Sequence, residues 1–508
     1  MIRCTIGKAG ARTHGPHRQL RGDHTPMPLS RCAKARADSE PVEPASRILR
    51  RAAAALLCAG LLLAGCKGFP VKGEKQTRQQ ARTVAATFRP EGRRPDPSAL
   101  ATHSDLGGLL RFAMLNQPKV EASYYDWVAS VERITIDRSL PDPQFTFESD
   151  IANIVMTVMP GFMQIFPGPG KLKAAARVAT SQSQAEYFRF ESAVLQTAFD
   201  VKRAYYNLHF LDDRIRINRA TLALLGDLET SARAQNEVGK VTLQDVYRAQ
   251  IEQDQLTTEV TNLEDSRHPL LAQLKGALGL TRDQADPPVP AEFESTPLDL
   301  NADDLLATAF DRNPRLKAME AEVRMAEASI GLAAKSKVPD FSLGLMVDAK
   351  ASPTVFRPLA GMTLPIWRDR IAAQIAQAQA DTRATEARLT SEEIMLTVDF
   401  AMKSYDYREV TRMLALLQDQ LVPKARKSLA IARSGYLSGQ IEFFNLIDAE
   451  RTLLDFQLSE VEARTRREII LSELSLMIAG VPPTGAPVLA SPPKVSSASA
   501  NRSKKSAP

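Results

Sequence analysis

Cysteine is missing from most of this chain. All four cysteines lie in the first 66 of 508 residues, at Cys4, Cys32, Cys58 and Cys66. Disulfides and cysteine-based metal sites are therefore excluded from the rest of the chain. Histidine is also scarce: after Cys66 only His103, His209 and His268 occur, without the paired spacing of metal ligands. His209 and His268 lie on helical stretches, where packing or surface roles are expected.

Catalytic motifs are missing as well. The chain has no nucleophile elbow and no glycine-rich phosphate loop. Its Asp and Glu residues are mixed with Arg and Lys on helical segments, which is typical of solvated helix faces. Met346, Met362, Met395 and Met402 would suit copper, but packing in a core or barrel explains them better. The sequence predicts no enzyme, no catalytic residues, no metal site and no cofactor.

The positive net charge does not indicate a nucleic-acid partner. The whole chain carries a net charge of +6, but residues 1–66 alone hold 11 basic and 4 acidic side chains. The remainder holds 54 basic and 55 acidic side chains. A basic face for nucleic acid is therefore not predicted.

The leader ends in an apolar run that is too short to span a membrane. Fifteen apolar or small residues, Ala52–Cys66, follow a basic flank that ends at Arg51, whereas a spanning helix needs about 20. This pattern fits a secretory signal over residues 1–65, although Met27 is another candidate start.

The final "LAGC" resembles a bacterial lipobox, so lipidation is expected at Cys66. Lys67 after it favours the outer membrane, and residues 66–104 are expected to be a periplasmic segment.

Two distant stretches repeat each other. "VGKVTLQDVYRAQ" from Val238 matches "SGQIEFFNLIDAE" from Ser438 at an offset of 200 residues, and other pairs match at 196. Such agreement indicates a tandem duplication. It divides the chain into a first repeat at 105–280, a linker at 281–304 and a second repeat at 305–480. The Pro/Ser-rich tail at 481–508 is expected to be disordered.

Each repeat changes its hydrophobic period in the same order. A helical segment (Lys119 to about Leu140, and Arg315 to about Lys337) is followed by two alternating segments, of which "FSLGLMV" and "PLAGMTLPI" form the second pair. A helical stretch of nearly 70 residues comes next in both halves, about 100 Å long, with an apolar seam typical of coiled coils. Two shorter helices placed end to end would pair with each long one.

Gly239 and Gly439 are predicted to lie at the turns that end the long helices, because glycine tolerates positive φ. Thr242 and Asp245 have the spacing of a capping box. The two turns would then be the tips of two hairpins, at the end opposite the strands.

The alternating segments have the length of tilted membrane strands. Four strands cannot close a useful pore, so several chains would have to share one barrel. Aromatic residues cluster in these segments as they do in interfacial girdles: Phe145, Phe147, Phe162, Phe166, Phe341, Phe356 and Trp367. A soluble β-hairpin packed on helices is the alternative.

The stretch from Leu421 to Glu450 resembles the TolC-like outer-membrane efflux proteins, in their acylated branch. Pro423, Ala425, Tyr436 and Gly439 carry the resemblance, which covers residues from about 105 to 480. It implies a mainly α fold with a small β part. Duplicated coiled-coil hairpins would form an α-barrel, and four membrane strands per chain would contribute to a shared trimeric β-barrel.

The resemblance also implies partners and a gate. The partners would be two further chains, outer-membrane lipid, a periplasmic adaptor (membrane fusion) protein and an inner-membrane pump. Asp245 and Tyr436 match the residues that close the periplasmic tip in this family, whereas Ile441 stands where some members have Arg. Asp245 would alternatively serve only as a carboxylate at a helix start.

The predicted function is a passive outer-membrane conduit for small molecules or metal ions in a tripartite efflux system. A channel for type I protein secretion is an alternative. A lipidated adaptor fits less well, since an adaptor has one hairpin and not two with a strand pair before each.

Overall fold

A computed structural model of the chain describes residues 72–89, 92–98, 100, 105–152, 155–289, 293, 302–348 and 355–478. The leader, Cys66, His103, the tail and part of the predicted linker (290–292 and 294–301) lie outside these ranges. In the described ranges the chain is mostly helical with one small sheet, which confirms the predicted mainly α fold. The helices are α1 (Lys72–Phe88), α2 (Leu106–Asn116), α3 (Pro118–Arg138), α4 (Lys171–Glu237), α5 (Leu243–Leu278), α6 (Ala302–Arg312), α7 (Pro314–Ala334), α8 (Arg368–Leu416), α9 (Val422–Leu437) and α10 (Phe443–Met477). The strands are β1 (Gln144–Ala152), β2 (Val155–Phe166), β3 (Phe341–Asp348) and β4 (Val355–Met362).

The same order of elements occurs twice. Helix α3, strands β1 and β2, and helices α4 and α5 correspond to α7, β3, β4, α8 with α9, and α10. Asn116 donates from Nδ2 to the carbonyl of Leu278 at 3.0 Å, and Asn313 donates in the same way to Met477 at 2.9 Å. Each bond joins a residue just before the first helix of a repeat (α3 or α7) to the end of the last helix of that repeat (α5 or α10). The duplication therefore extends to hydrogen bonds between distant parts of each half.

The long helices are built as the apolar spacing predicts. Helix α4 runs unbroken for 67 residues, about 100 Å. In the second half, α8 and α9 are joined by a π-helical turn at Leu417–Leu421, just before Pro423. The predicted seam of α8 is buried in one cluster that includes Leu396, Phe400 and Val410. Helix α7 packs against both long helices, while α5 and α10 pack along α4 and α8 respectively, so two shorter helices accompany each long one.

An aromatic core fixes the N-terminal helices to the first repeat. Trp127 and Phe190 stack with centroids 6.0 Å apart, and Phe88 of α1 packs edge-on against Phe190. The sequence predicted no helix before residue 105, so α1 was missed. His209 is buried beside Tyr205, with ring centroids 4.5 Å apart. His268 is exposed on α5.

The four strands form one antiparallel sheet in the order β1-β2-β3-β4. Phe145 pairs with Phe162, which pairs in turn with Leu345, so these side chains share one face. All seven aromatic side chains of the predicted girdle are exposed. The prediction for β4 was wrong by several residues: the strand begins at Val355 and ends before Pro365, which has no N–H for a sheet ladder.

The strands end and the helices begin at one level, here called the junction (residues 139–143, 167–173, 335–340 and 363–370). Asp340 holds it together: its Oδ1 accepts from Lys171 Nζ and from the Gly168 N–H, both at 2.7 Å. Its own N–H donates to Thr363 Oγ1 at 2.7 Å. Helix α1 begins close to this level, since Glu74 contacts Arg138 Nε at 2.8 Å at the end of α3.

Within the described ranges, no helix is both long enough and apolar enough to cross a membrane.

Candidate functional site

The two hairpin turns have the same backbone geometry. Gly239 and Gly439 have φ values of +77° and +75°, and the space around each α-carbon is open. The N–H after each glycine bonds back into the preceding helix: Lys240 to the carbonyl of Gln235 at 2.9 Å, and Gln440 to that of Gly435 at 2.8 Å. Glycine is needed here for its backbone conformation, because an added Cβ would meet strain but no neighbour.

The predicted capping box at the first tip was wrong. Thr242 occupies the N-cap position of α5 with extended backbone angles, yet its side chain makes no capping hydrogen bond. The bond that links the pair runs between backbones, from the Asp245 N–H to the Thr242 carbonyl at 3.1 Å. The Thr242 side chain is exposed, so water can satisfy its hydroxyl.

The tips of both hairpins share one core, here called the tip cluster. It contains Leu225, Leu228, Ala232, Val246 and Ala249 of the first hairpin and Leu429, Ala432, Tyr436, Phe443, Leu446 and Ile447 of the second. Tyr436 is buried and packs against Phe443, with ring centroids 5.3 Å apart. The two turns, 200 residues apart in sequence, are therefore joined by direct apolar packing.

The two predicted gate residues come near each other at this cluster without a hydrogen bond. The Tyr436 hydroxyl is buried and has no hydrogen-bond partner among the described residues. Burial, and to a smaller extent the nearby Asp245 carboxylate, together raise the pKa of Tyr436 to about 12. Asp245 is half-buried at the start of α5. The pair is close enough for an electrostatic interaction, and the hydroxyl remains available as a donor.

Ile441 fills the second turn. A Cβ added at Gly435 would lie 2.6 Å from Ile441 Cδ1, so the isoleucine packs closely over the last turn of α9. Its contact is apolar and lies within one hairpin.

An ion pair that the sequence did not predict connects the hairpins instead. Arg451 on α10 contacts both carboxylate oxygens of Glu252 on α5, with Nε 3.3 Å from Oε2. The side chain of Glu252 is 15% exposed and that of Arg451 is 54% exposed. Glu252 and Arg451 are 199 residues apart, nearly the repeat offset of the tips. The closeness of this separation to the repeat offset was the one sequence feature that could have indicated the ion pair.

A buried carboxyl lies next to this ion pair. Glu450 is 3% exposed. Its pKa is raised to about 7, mainly by burial and also by the negative charges of Glu252 and Asp455, while Arg451 acts in the opposite direction. At the matching place in the first repeat stands Gln250, which is neutral and donates to Glu229 at 2.9 Å.

A groove runs along the second hairpin beside the tip, between α9 and α10. Its volume is about 350 Å³, and its lining includes Ile431, Ile441 and Asp448. Ile431 and Asp448 are exposed. The groove has both apolar and charged walls.

Among the residues that the structure describes, no group of three or more His, Cys, Asp or Glu side chains is placed to hold a metal ion.

The sequence matches the model of the family described as "Outer membrane efflux protein" over residues 129–280 and 305–480. The two matched ranges fall on the two structural repeats: the first begins within α3 and covers β1–α5, and the second covers α7–α10. The chain therefore belongs to the outer membrane efflux protein family.

Among known relatives, the chain is 23% identical over 266 residues to the cobalt-zinc-cadmium resistance protein CzcC of Cupriavidus metallidurans. That match covers 51% of this chain and 62% of the relative's length.

Solved structures have the same fold. The outer membrane protein VceC of Vibrio cholerae matches with a TM-score of 0.63 at 18% identity, covering 74% of this chain and 96% of that one. The outer membrane channel MtrE of Neisseria gonorrhoeae, in its open state, matches with a TM-score of 0.63 at 16% identity, covering 74% and 89%.

Proposed function

We propose that this protein is the outer-membrane channel of a tripartite efflux system. It would be a passive conduit, without enzymatic activity, that leads small molecules or metal ions from a periplasmic adaptor and an inner-membrane pump to the exterior. The observation that carries this proposal is the direct continuation of an aromatic, outwardly exposed sheet into two long hairpins whose tips share one core.

The sheet would become a barrel wall by joining the sheets of other chains. One face exposes large apolar residues such as Phe145, Phe162 and Leu345, while the opposite face has small residues such as Gly161 and Gly361. A sheet in lipid needs closed edges, and β1 and β4 are both edges in one chain. Three chains would supply twelve strands for a trimeric barrel, and their hairpins would form an α-barrel below it.

The tip would be the gate. Asp245 and Tyr436 lie where the two hairpins meet, and the buried, unpaired hydroxyl of Tyr436 gains a strong acceptor if a small shift brings a carboxylate to it. The Glu252–Arg451 ion pair would hold the hairpins together above them. Opening would separate α5 from α10 and break this ion pair. The groove between α9 and α10 would receive part of the adaptor's hairpin.

A lipid on Cys66 fits the position of α1. This helix begins beside Arg138 and Thr180, close to the junction. Six residues lead from Cys66 to Lys72, and such a piece of chain spans at most about 20 Å. An acylated Cys66 could therefore reach the periplasmic surface of the outer membrane. Residues 66–104 would then tie the anchor to the first repeat.

The name of the relative CzcC indicates which cargo to test first. CzcC is described as a cobalt-zinc-cadmium resistance protein, so divalent metal ions are the first class to test, with small organic molecules as the second. No specific observation favours protein secretion. The adaptor alternative is not favoured, because the chain has two hairpins, each preceded by a strand pair.

Planar-bilayer conductance of the purified protein tests the proposal. We expect rare, small steps for the wild type and larger, steadier steps for Asp245→Ala. Asp254→Ala, an exposed carboxylate on the same helix, is the matched control and should behave like the wild type. Equal steps in all three proteins would keep the channel and leave Asp245 as a helix-start carboxylate. No steps from folded, inserted protein would overturn the channel and favour the adaptor.

A further inference from the structure

The junction carries more positive charge than its own carboxylates can neutralise. It has six cationic side chains against three aspartates, and the cations are Lys171, Lys173, Lys335, Lys337, Arg368 and Arg370. Lys171 is paired with Asp340. The other five form no ion pair within the part of the chain that the structure describes. A surplus of unpaired cations therefore lies at one level of the molecule.

These cations do not stabilise the helices on which they lie. Lys173 is in the first turn of α4, and Arg368 and Arg370 are in the first turn of α8. The N-terminal turn of a helix favours negative side chains, so positive ones are slightly unfavourable there. Helix stability gives no reason for three cations in two N-terminal turns, which points to a negative group outside the chain.

The cations come directly after the exposed apolar surface. Phe166, Phe341 and Met362 form the last row of paired residues in the sheet, and all three are exposed. Leu364, Ile366 and Trp367 continue this surface between β4 and α8, with Trp367 70% exposed. The junction cations lie within a few residues of this apolar surface on three separate segments, 167–173, 335–340 and 363–370. Aromatic and then cationic side chains in this order are typical of the boundary between hydrocarbon and lipid headgroups.

A groove at this boundary has the right neighbours for a headgroup. It is open, has a volume of about 610 Å³, and is lined by Ile366, Trp367, Arg368, Asp369 and Arg370. Its apolar residues, Ile366 and Trp367, belong to the segment between β4 and α8, and its two arginines belong to the first turn of α8. Arginine is well suited to phosphate because its planar group donates two parallel hydrogen bonds.

We infer that the junction is a binding surface for anionic phospholipids in the periplasmic leaflet of the outer membrane. The phosphate-bearing headgroups would lie against Arg368, Arg370 and Lys337, and the acyl chains would lie along Trp367 and the aromatic face of the sheet. This inference rests on the proposed function, because it requires the strands to lie in a membrane. It goes further by naming the lipid class that this surface selects.

The two tryptophans of the chain make a direct test possible. Trp127 is fully buried among helices, whereas Trp367 lies in the groove. The full chain is placed in phosphatidylcholine vesicles that contain a fixed fraction of either brominated phosphatidylglycerol or brominated phosphatidylcholine. Bromine quenches a nearby tryptophan, so Trp367 reports which lipid is beside it. Trp367→Phe gives the background from Trp127.

We expect two- to fivefold more quenching by the brominated phosphatidylglycerol than by the brominated phosphatidylcholine in the wild type. One cation at an anionic surface contributes about fivefold to local enrichment, equivalent to about 1 kcal/mol, and salt should reduce the difference. The variant with Lys337→Gln, Arg368→Gln and Arg370→Gln should be quenched equally by both lipids. The matched control, Arg383→Gln with Arg388→Gln, removes exposed charges farther along α8 and should keep the preference.

The outcomes separate the two proposals. Equal quenching by both lipids in the wild type would overturn the lipid preference while leaving the strands in the membrane. A preference that survives in the triple variant would show that these cations are not its cause, and would also overturn the inference. If neither brominated lipid quenches Trp367 in folded, vesicle-bound protein, the membrane position of the strands fails, and the proposed function fails with it.

Discussion

Arg451 on α10 and Glu252 on α5 form an ion pair that joins the two hairpins about 12 Å above their tips. It is a link between the repeats, unlike the many ion pairs that lie within one helix. Ile441 at the second turn packs within its own hairpin, so this ion pair is a charged contact between the hairpins about two helical turns from the tips.

Reversing one charge of this pair should loosen the gate. Glu252→Arg or Arg451→Glu places like charges opposite each other, and we expect more frequent and larger conductance steps. The double variant restores attraction and should restore small, rare steps. Because Arg451 is half-exposed, the coupling between the two changes should be about 0.5–1 kcal/mol in a double-mutant cycle. Lys427→Glu, an exposed charge on α9, is the control. Equally large steps in the double variant would show that the pair does not close the channel.

Glu450 should make the tip sensitive to pH. Its pKa is raised to about 7 in the folded protein, so the closed tip binds a proton more tightly than an opened one does. Stability is therefore greatest below the ordinary pKa of a glutamate and falls as the pH rises to about 7. Glu450→Gln removes this loss, and Gln250 shows that the other repeat uses an amide there. Hydrogen exchange of residues 443–453 should show the variant more protected at pH 8, by up to about 3 kcal/mol, and unchanged at pH 5. Equal protection at pH 8 would contradict a raised pKa.

Two glycine-to-alanine changes should act in opposite directions. Gly439 has a positive φ, so alanine there should destabilise the tip by about 1–2 kcal/mol. Gly226 lies inside α4 with open space around it, so alanine there should stabilise the helix by about 0.5–1 kcal/mol. Hydrogen exchange at the two sites measures both effects. A neutral Gly439→Ala would mean that the turn can change its conformation without cost.

Replacement of Cys66 tests the anchor. Cys66→Ser should abolish incorporation of labelled fatty acid when the protein is expressed in bacteria, while Cys58→Ser, the matched control in the same apolar run, should not. If the strands form the proposed membrane barrel, conductance should persist in Cys66→Ser, because the strands and not the lipid would then hold the protein in the membrane. Unchanged labelling of Cys66→Ser would exclude the lipobox assignment.

Much of the fold was predictable because it repeats. The apolar seam through Leu396, Phe400 and Val410 defined a long helix, and matched glycines defined both turns. Local chemistry was less predictable. Pro269 lies within α5 without ending it, and Thr242 has cap spacing without a cap bond. For Pro269, packing of α5 against α4 outweighs the local preference, and a single sequence does not contain that information.

The sequence predicted the two turns and the candidate gate residues beside them, but it did not predict the ion pair that joins the hairpins. Asp245 and Tyr436 are near their turns in sequence, so a motif can find them. The partners Glu252 and Arg451 are on different hairpins, and only the three-dimensional register of α5 and α10 makes them neighbours. Glu450 is similar: its sequence context is that of a solvated helix, and its burial comes from tertiary packing.

The π-helical turn at Leu417–Leu421 makes the two halves mechanically unequal. From the first residue of α8 to the last of α9 the chain has three residues more than α4, and a wide turn takes up extra length without disturbing the seam on either side. The long helix of the first hairpin is therefore continuous, and that of the second hairpin is interrupted by a π-helical turn. In any ring made from copies of this chain, continuous and interrupted long helices would alternate. Its rotational symmetry would be set by the number of chains and not by the number of hairpins.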